Sequence, residues 1–203
     1  MLFPASFVVV EVSVSLPKPP PFDWTSFHLG IYVLAKPDDV FDLWSTAKGL
    51  NRWFLRTAAF APSDGRPTDR RKVAQLPPFD TLIQRRDEER CRTKDRYRWE
   101  WYYGGGVTGE EWIIDSRPPT KIAFGFGDRM EVEVMLRKQG RYCEVDLRQY
   151  NIPDTAIGRS NLHLGCRVAW AFFLSNLKSV AEKGLDLRET DRTRTGHLHL
   201  VNM

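Results

Sequence analysis

Gly104, Gly106 and Gly109 satisfy the GxGxxG spacing by which a loop presents backbone amides to a pyrophosphate. That chemistry needs a helix directly after the loop, with its N-terminus facing the phosphates. Here Glu110-Glu111-Trp112-Ile113-Ile114 follows, an extended run whose two carboxylates repel phosphate. The glycines are therefore expected to form a hairpin turn. Proton transfer would need a carboxylate or an imidazole held in a dry place. Glu110 is in phase with Trp112 and Ile114, which offers it as an inward polar group; an outward strand end is the plainer alternative. A buried carboxyl there would hold its proton more tightly than usual. His163, at the start of a long helix, offers either a polar ligand contact or a role at the helix rim. His28 lies on a strand, and His197 and His199 lie in a charged tail. No Cys, His, Asp or Glu cluster has metal-ligand spacing, and no G-x-S-x-G elbow is present, so no metal, cofactor or catalytic residue is assigned.

The residue types that remain conspicuous are aromatic. Tyr97, Trp99, Trp101 and Tyr103 alternate with Arg98, Glu100 and Tyr102, so in a strand they share one face while Arg98 and Glu100 take the other. The chain has seven tryptophans in 203 residues. Tryptophan is rarely fully buried and its N–H wants a partner, which places several of them at a cavity wall or rim.

Composition narrows the partners. Thirty basic residues against 26 acidic ones leave a net charge of +4, with the signs mixed along the chain. Even the densest basic run, 85–92, is interrupted by Asp87, Glu88 and Glu89, so it reads as a solvated face and no nucleic-acid partner is expected. Three cysteines (91, 143 and 166) without a CxxC pair fit a reducing, cytoplasmic setting, with Cys143 and Cys166 as small buried groups. No apolar run is long enough to span a membrane, and the first 16 residues lack the basic start of a signal peptide.

The elements that must position these groups follow from periodicity. Residues 1–22 are read as an N-terminal extension or an extra strand followed by a proline-rich linker: Phe7–Val14 is β-branched and suits a strand, with upstream sequence of no set register as the alternative. A domain is expected over 23–187. It opens with a strand over 25–35. Pro37, Asp38 and Asp39 then suit the first turn of a helix, and a second short helix carries Leu50, Trp53 and Phe54. Residues 61–95 form an irregular insertion. Five strands follow, over 96–103, 108–115, 121–126, 129–138 and 142–150, joined by turns short enough to require antiparallel neighbours. The long helix 160–183 carries Cys166, Ala169, Trp170, Phe173, Leu177 and Val180 as a stripe, widened by Val168 and Phe172. Ser160 or Asn161 is its expected cap and Gly184 its stop. Residues 188–203 read as a flexible charged tail.

This order of elements resembles the helix-grip fold of the SRPBCC/START-like superfamily, which includes the birch-pollen allergens. It is most similar to the activators of the heat-shock-protein ATPase. The resemblance rests on Ala35-Lys36-Pro37-Asp38-Asp39-Val40-Phe41-Asp42-Leu43-Trp44 followed by Gly49-Leu50-Asn51-Arg52-Trp53-Phe54, on 107–124 with Pro118-Pro119, and on Trp170–Val180. It implies an α+β fold in which a curved antiparallel sheet wraps a long C-terminal helix, with two short helices after the first strand. It implies a protein that binds apolar ligands, touches chaperones or catalyses cyclisation on one scaffold.

The favoured expectation is non-catalytic binding of a small hydrophobic or amphipathic ligand between the sheet and the C-terminal helix. The wall would be Trp53, Trp99, Trp101, Trp112, Phe124, Phe126, Trp170 and Phe173, with Glu110 and His163 as polar groups. One alternative is a protein-interaction module of the chaperone-activator kind, as a monomer or homodimer. A second is a cyclase- or hydrolase-like enzyme using the same cavity.

Overall fold

The computed structural model of the protein describes residues 21–68, 70–102, 108–127, 129–191 and 193–194. Phe7–Val14, Tyr103, the Gly104-Gly105-Gly106 turn, Asp128, His197 and His199 lie outside the described residues. The elements run β1 (Phe27–Val33), α1 (Pro37–Ser45), α2 (Ala47–Trp53), β2 (Thr57–Ala61), α3 (Arg70–Val73), β3 (Arg96–Glu100), β4 (Thr108–Arg117), β5 (Lys121–Phe126), β6 (Met130–Gln139) and β7 (Tyr142–Tyr150). A π-helical segment, Gly158–Gly165, then leads into α4 (Cys166–Lys183). All strands pair antiparallel in one seven-stranded sheet of order β1-β7-β6-β5-β4-β3-β2. The helix-grip fold expected from the sequence is the fold observed.

The helical corner after β1 forms for local reasons. Pro37 sits in the first turn of α1, and Asp38 and Asp39 face the positive end of its dipole. The Thr46 hydroxyl accepts from the Gly49 amide at 2.9 Å and so caps α2. Gly49 is required by contact: a Cβ there would lie 2.1 Å from the Asp42 carbonyl oxygen. The corner turns Trp44 and Trp53 inward, where their rings meet edge-on at 4.6 Å.

Residues 61–95 contain no long element among the described residues, yet they are docked. Phe79 is buried, and the Arg85 amide donates to the Phe60 carbonyl on the outer edge of β2 at 2.7 Å. The Arg85 guanidinium holds the buried Asp95 carboxylate from two nitrogens. The Cys91 amide closes the insertion onto α1 through the Ser45 carbonyl at 2.7 Å.

Two expectations at the C-terminal helix are corrected. The helical run begins at Ala156, just after Thr155, whose hydroxyl accepts from the Gly158 amide, instead of at a Ser160 or Asn161 cap. Val168 is exposed, whereas Trp170, Phe173, Leu174, Leu177 and Val180 are buried. Gly184 ends α4 in the left-handed region, φ 70°, as a C-terminal glycine does. The expected free tail also starts too early at 188. Arg188 is only 8 % exposed and donates to the Leu55 and Asn51 carbonyls and to the Asp186 carboxylate. The Asn176 side chain, fully buried, ties the same corner to Trp53 and Asp186.

Candidate functional site

The space between sheet and α4 is mostly filled. Trp53, Trp99 and Phe124 are at most 1 % exposed and belong to a closed aromatic core. Tyr97 stacks on Trp99 at 3.9 Å, and Trp99 meets Phe54 and Phe124 edge-on at 5.6 and 5.0 Å. The Tyr97 hydroxyl donates to the Gly125 carbonyl at 2.6 Å. Burial, and then the Glu111 carboxylate, hold its phenol well above the ordinary range.

At one end the filling stops. Between α4 and the ends of β3 and β5 lies an open recess of about 260 Å³. Trp101, Phe126, Trp170 and Phe173 line it, together with Phe54, Asn161, Gly165, Cys166 and Ala169. Four of the expected wall residues thus meet at one recess, while Trp53, Trp99 and Phe124 lie behind it in solid packing. No charged side chain lines it among the described residues. Trp170 is the back wall. Its ring stacks on Phe54 at 5.0 Å and tilts against Phe126 at 5.6 Å, and its N–H donates to the buried Gln149 side chain at 2.8 Å. Cys166 borders the recess; burial pushes its thiol above the ordinary range, with the Gln149 contact opposing. Gly109 finds its role here. A Cβ at that position would meet the Trp101 ring at 3.2 Å, so its absence lets Trp101 lie against β4.

Three expected site residues are elsewhere. Trp112 stands opposite Arg96 across the β3–β4 ladder, on the outward face, where the Arg96 guanidinium lies between the rings of Phe79 and Trp112 at 5.8 and 5.9 Å. Glu110 shares that face, and its carboxylate pairs with Arg96 and Arg98. Trp112 was expected inward, and for Glu110 the outward strand end was the plainer alternative; the register of Trp99 with Gly109 sends both outward. His163 is sealed from solvent, not a rim group. Its Nδ1 lies 3.0 Å from the Trp24 carbonyl oxygen, and the rings of Phe22, Trp24 and Phe27 surround it at 5.2–5.4 Å.

The recess residues that periodicity did not assign are Phe54, Asn161, Gly165, Cys166 and Ala169. The available signal was size: Cys166 and Ala169 are small residues on the stripe of α4, and Gly165 ends the π-helical segment just before it. Among the described residues no cluster could hold a metal ion, and no helix is long and apolar enough to cross a membrane.

A family model described as Activator of Hsp90 ATPase homolog 1-like protein matches residues 34–182. The chain belongs to this family. Its fold places it in the SRPBCC/START-like superfamily, close to the Aha1 homologues. Protein SSP2350 from Staphylococcus saprophyticus superposes with a TM-score of 0.58 at 13 % identity, over 80 % of this chain and 96 % of that one. The Aha1 dimer from Colwellia psychrerythraea gives 0.53 at 14 % identity, over 79 % and 98 %. DynU16, from the dynemicin biosynthetic locus, gives 0.55 at 15 % identity, over 82 % of this chain and 50 % of that one. At these identities the likeness establishes the fold alone. No curated protein matches the sequence.

Proposed function

We propose that this member of the family binds a small, neutral, flat apolar or amphipathic molecule in the recess at the open end of the helix grip, without catalysing its conversion. The observation that carries the reading is the set of rings (Trp101, Phe126 and Trp170) that line an uncharged recess. Ligand sites are concave, mainly apolar, and typically ~300–1,000 Å³. At about 260 Å³ the recess suits an aromatic metabolite better than a long acyl chain. The absence of a lining charge disfavours carboxylates. An enzymatic reading finds no support at Glu110, which is bound in ion pairs outside, or at His163, which is enclosed by rings. The test is titration with the neutral dye Nile red, read by dye emission and by tryptophan quenching. Ala169→Phe should fill the recess and abolish uptake while leaving the unfolding midpoint close to the parent's. Equal uptake by parent and variant would overturn the proposal.

A chaperone-activator role is the second reading. The family description favours it, as does a groove of about 560 Å³ between α1, α2 and α4 with Asp39, Asp42, Lys48, Arg52 and Glu88 at its surface. Charged rims set salt-sensitive association. Reversing Lys48 and Arg52 together should weaken a chaperone interaction at low salt; no effect on any such binding would exclude this groove.

A further inference from the structure

We propose, on the footing that the recess is a binding site, that its ligand carries a carbonyl on the edge facing the mouth and that the Asn161 carboxamide reads it. The lining is graded from back to front. Phe54, Trp170 and Phe173 are buried, Trp101, Phe126, Cys166 and Ala169 are half-buried, and Asn161 and Gly165 are exposed. A bound ring therefore has apolar surroundings behind it and a polar group at the lip, which fixes the orientation of an amphipathic molecule: ring inward, polar edge outward.

The polar groups at the back are engaged with one another. The Trp170 N–H donates to Gln149 at 2.8 Å, the Gln149 amide nitrogen lies 3.4 Å from the Met130 sulfur, and the Cys166 thiol contacts the same glutamine. A ligand oxygen placed there would have to break these contacts. At the lip the chemistry differs. Among the described residues that line the recess, Asn161 is the one with a side-chain amide. Its Oδ1 accepts from the Ser160 hydroxyl at 2.8 Å. The other neighbour of that hydroxyl, the Ile157 carbonyl, is farther off at 3.4 Å, so the hydroxyl proton goes to Asn161. The amide oxygen thus turns to Ser160 and the two Nδ2 hydrogens turn away from it. A neutral donor pair at the mouth suits an acceptor oxygen. A carbonyl supplies two lone pairs and no charge, whereas a carboxylate would bring its charge against uncharged rings.

The backbone sets the reach. In a π-helix residues i and i+5 are bonded across one turn, so Asn161 stands one turn outside Gly165 and Cys166 on the side of the recess. Gly165 puts no side chain between the amide and the rings, and a Cβ there would meet the Ser160 carbonyl oxygen at 3.8 Å.

The test compares acetylnaphthalene with isopropenylnaphthalene, substituted at the same ring position, which has the same shape but a methylene in place of the carbonyl oxygen. Affinities for the full chain are read by displacement of Nile red, with the affinity of the dye itself measured for each variant. Asn161→Ala should weaken the ketone on the order of 3–10-fold more than the hydrocarbon, the size of one hydrogen bond. Ser160→Ala, which frees the amide to turn, should give a smaller loss in the same direction. Both positions are exposed, so the unfolding midpoints should match the parent's. Equal losses for the two compounds, or no loss for either, would overturn the carbonyl assignment and leave the recess a binding site. Displacement by neither compound in the parent would overturn the recess as a binding site, and the carbonyl assignment with it.

Discussion

Trp170→Ala tests how far the closed core extends toward the recess. The ring is 2 % exposed and touches Trp44, Phe54, Phe126 and Phe173 at centroid distances of 5.9, 5.0, 5.6 and 6.5 Å. A buried tryptophan covers ~200 Å², and at ~25 cal/mol per Å² its burial contributes about 5 kcal/mol. Aromatic-to-alanine changes in cores cost ~3–5 kcal/mol. The void here opens into the recess, so water can enter and reach Gln149, whose amide loses its indole partner. That relief sets the expectation near the middle of the range, at ~4 kcal/mol. Trp170→Phe keeps most of the ring contact and removes only the hydrogen bond, for ~1–2 kcal/mol. Urea unfolding of both variants at constant slope gives the two losses. A Trp170→Ala loss below ~1.5 kcal/mol would refute the claim that this ring closes the core, because a side chain bordering empty space has few partner atoms to lose. Nile red uptake should change strongly in the alanine variant, since its back wall is gone.

Other perturbations follow from described contacts. Arg188→Ala strands the Asp186 carboxylate and two carbonyls, and should lower stability by ~2–4 kcal/mol in thermal or urea unfolding, since Asp186 keeps some solvent. Burial raises the Asp186 carboxyl, but its bonds from Arg188 and Asn176 outweigh this and hold it below the usual range. The folded form therefore binds this proton less tightly than the unfolded chain. The contribution is present above the unfolded value near ~3.9 and is lost as pH falls through the folded one, so the deficit of Arg188→Ala relative to the parent should shrink between pH ~6 and ~3. Gly49→Ala places a methyl against the Asp42 carbonyl and the Leu43 backbone, and should cost ~2–4 kcal/mol or block folding, read by near-ultraviolet circular dichroism. Gly109→Ala should displace the Trp101 ring by a few tenths of an ångström and weaken dye uptake more than it lowers the melting temperature.

The strands β6 and β7 were legible because each has one wet face and one dry face, which writes a period of two into the residues: Val132, Val134 and Leu136 are buried while Glu131 and Glu133 are half-exposed. The α1–α2 corner was legible from Pro37 and its acidic turn. Trp112 was misplaced because both faces of the sheet are covered at that point. Phe79 and Arg96 form a second layer over it, and a segment without periodicity gives no sign that it will pack. Arg188 was read as solvated because a lone arginine in a charged stretch usually is; its burial depends on carbonyls at 51 and 55 that approach only after folding. Four residues of the recess wall were legible, but not where the solid packing ends, because alternation specifies which face a ring takes and not what lies beyond it.

The docked insertion has a practical consequence for anyone trimming this domain. Excising residues 62–94 would look like shortening a surface loop, but it would strip the lid from Trp112, remove Phe79 and leave the Phe60 carbonyl unpaired on an edge strand. The product would present a sticky, pairing-competent flank and would be expected to aggregate. Loss of a partner on such a deletion would therefore report a collapsed protein, not a lost contact. Mapping of any interaction on this side belongs to single charge reversals at exposed positions such as Arg86 and Asp80, which leave the second layer standing.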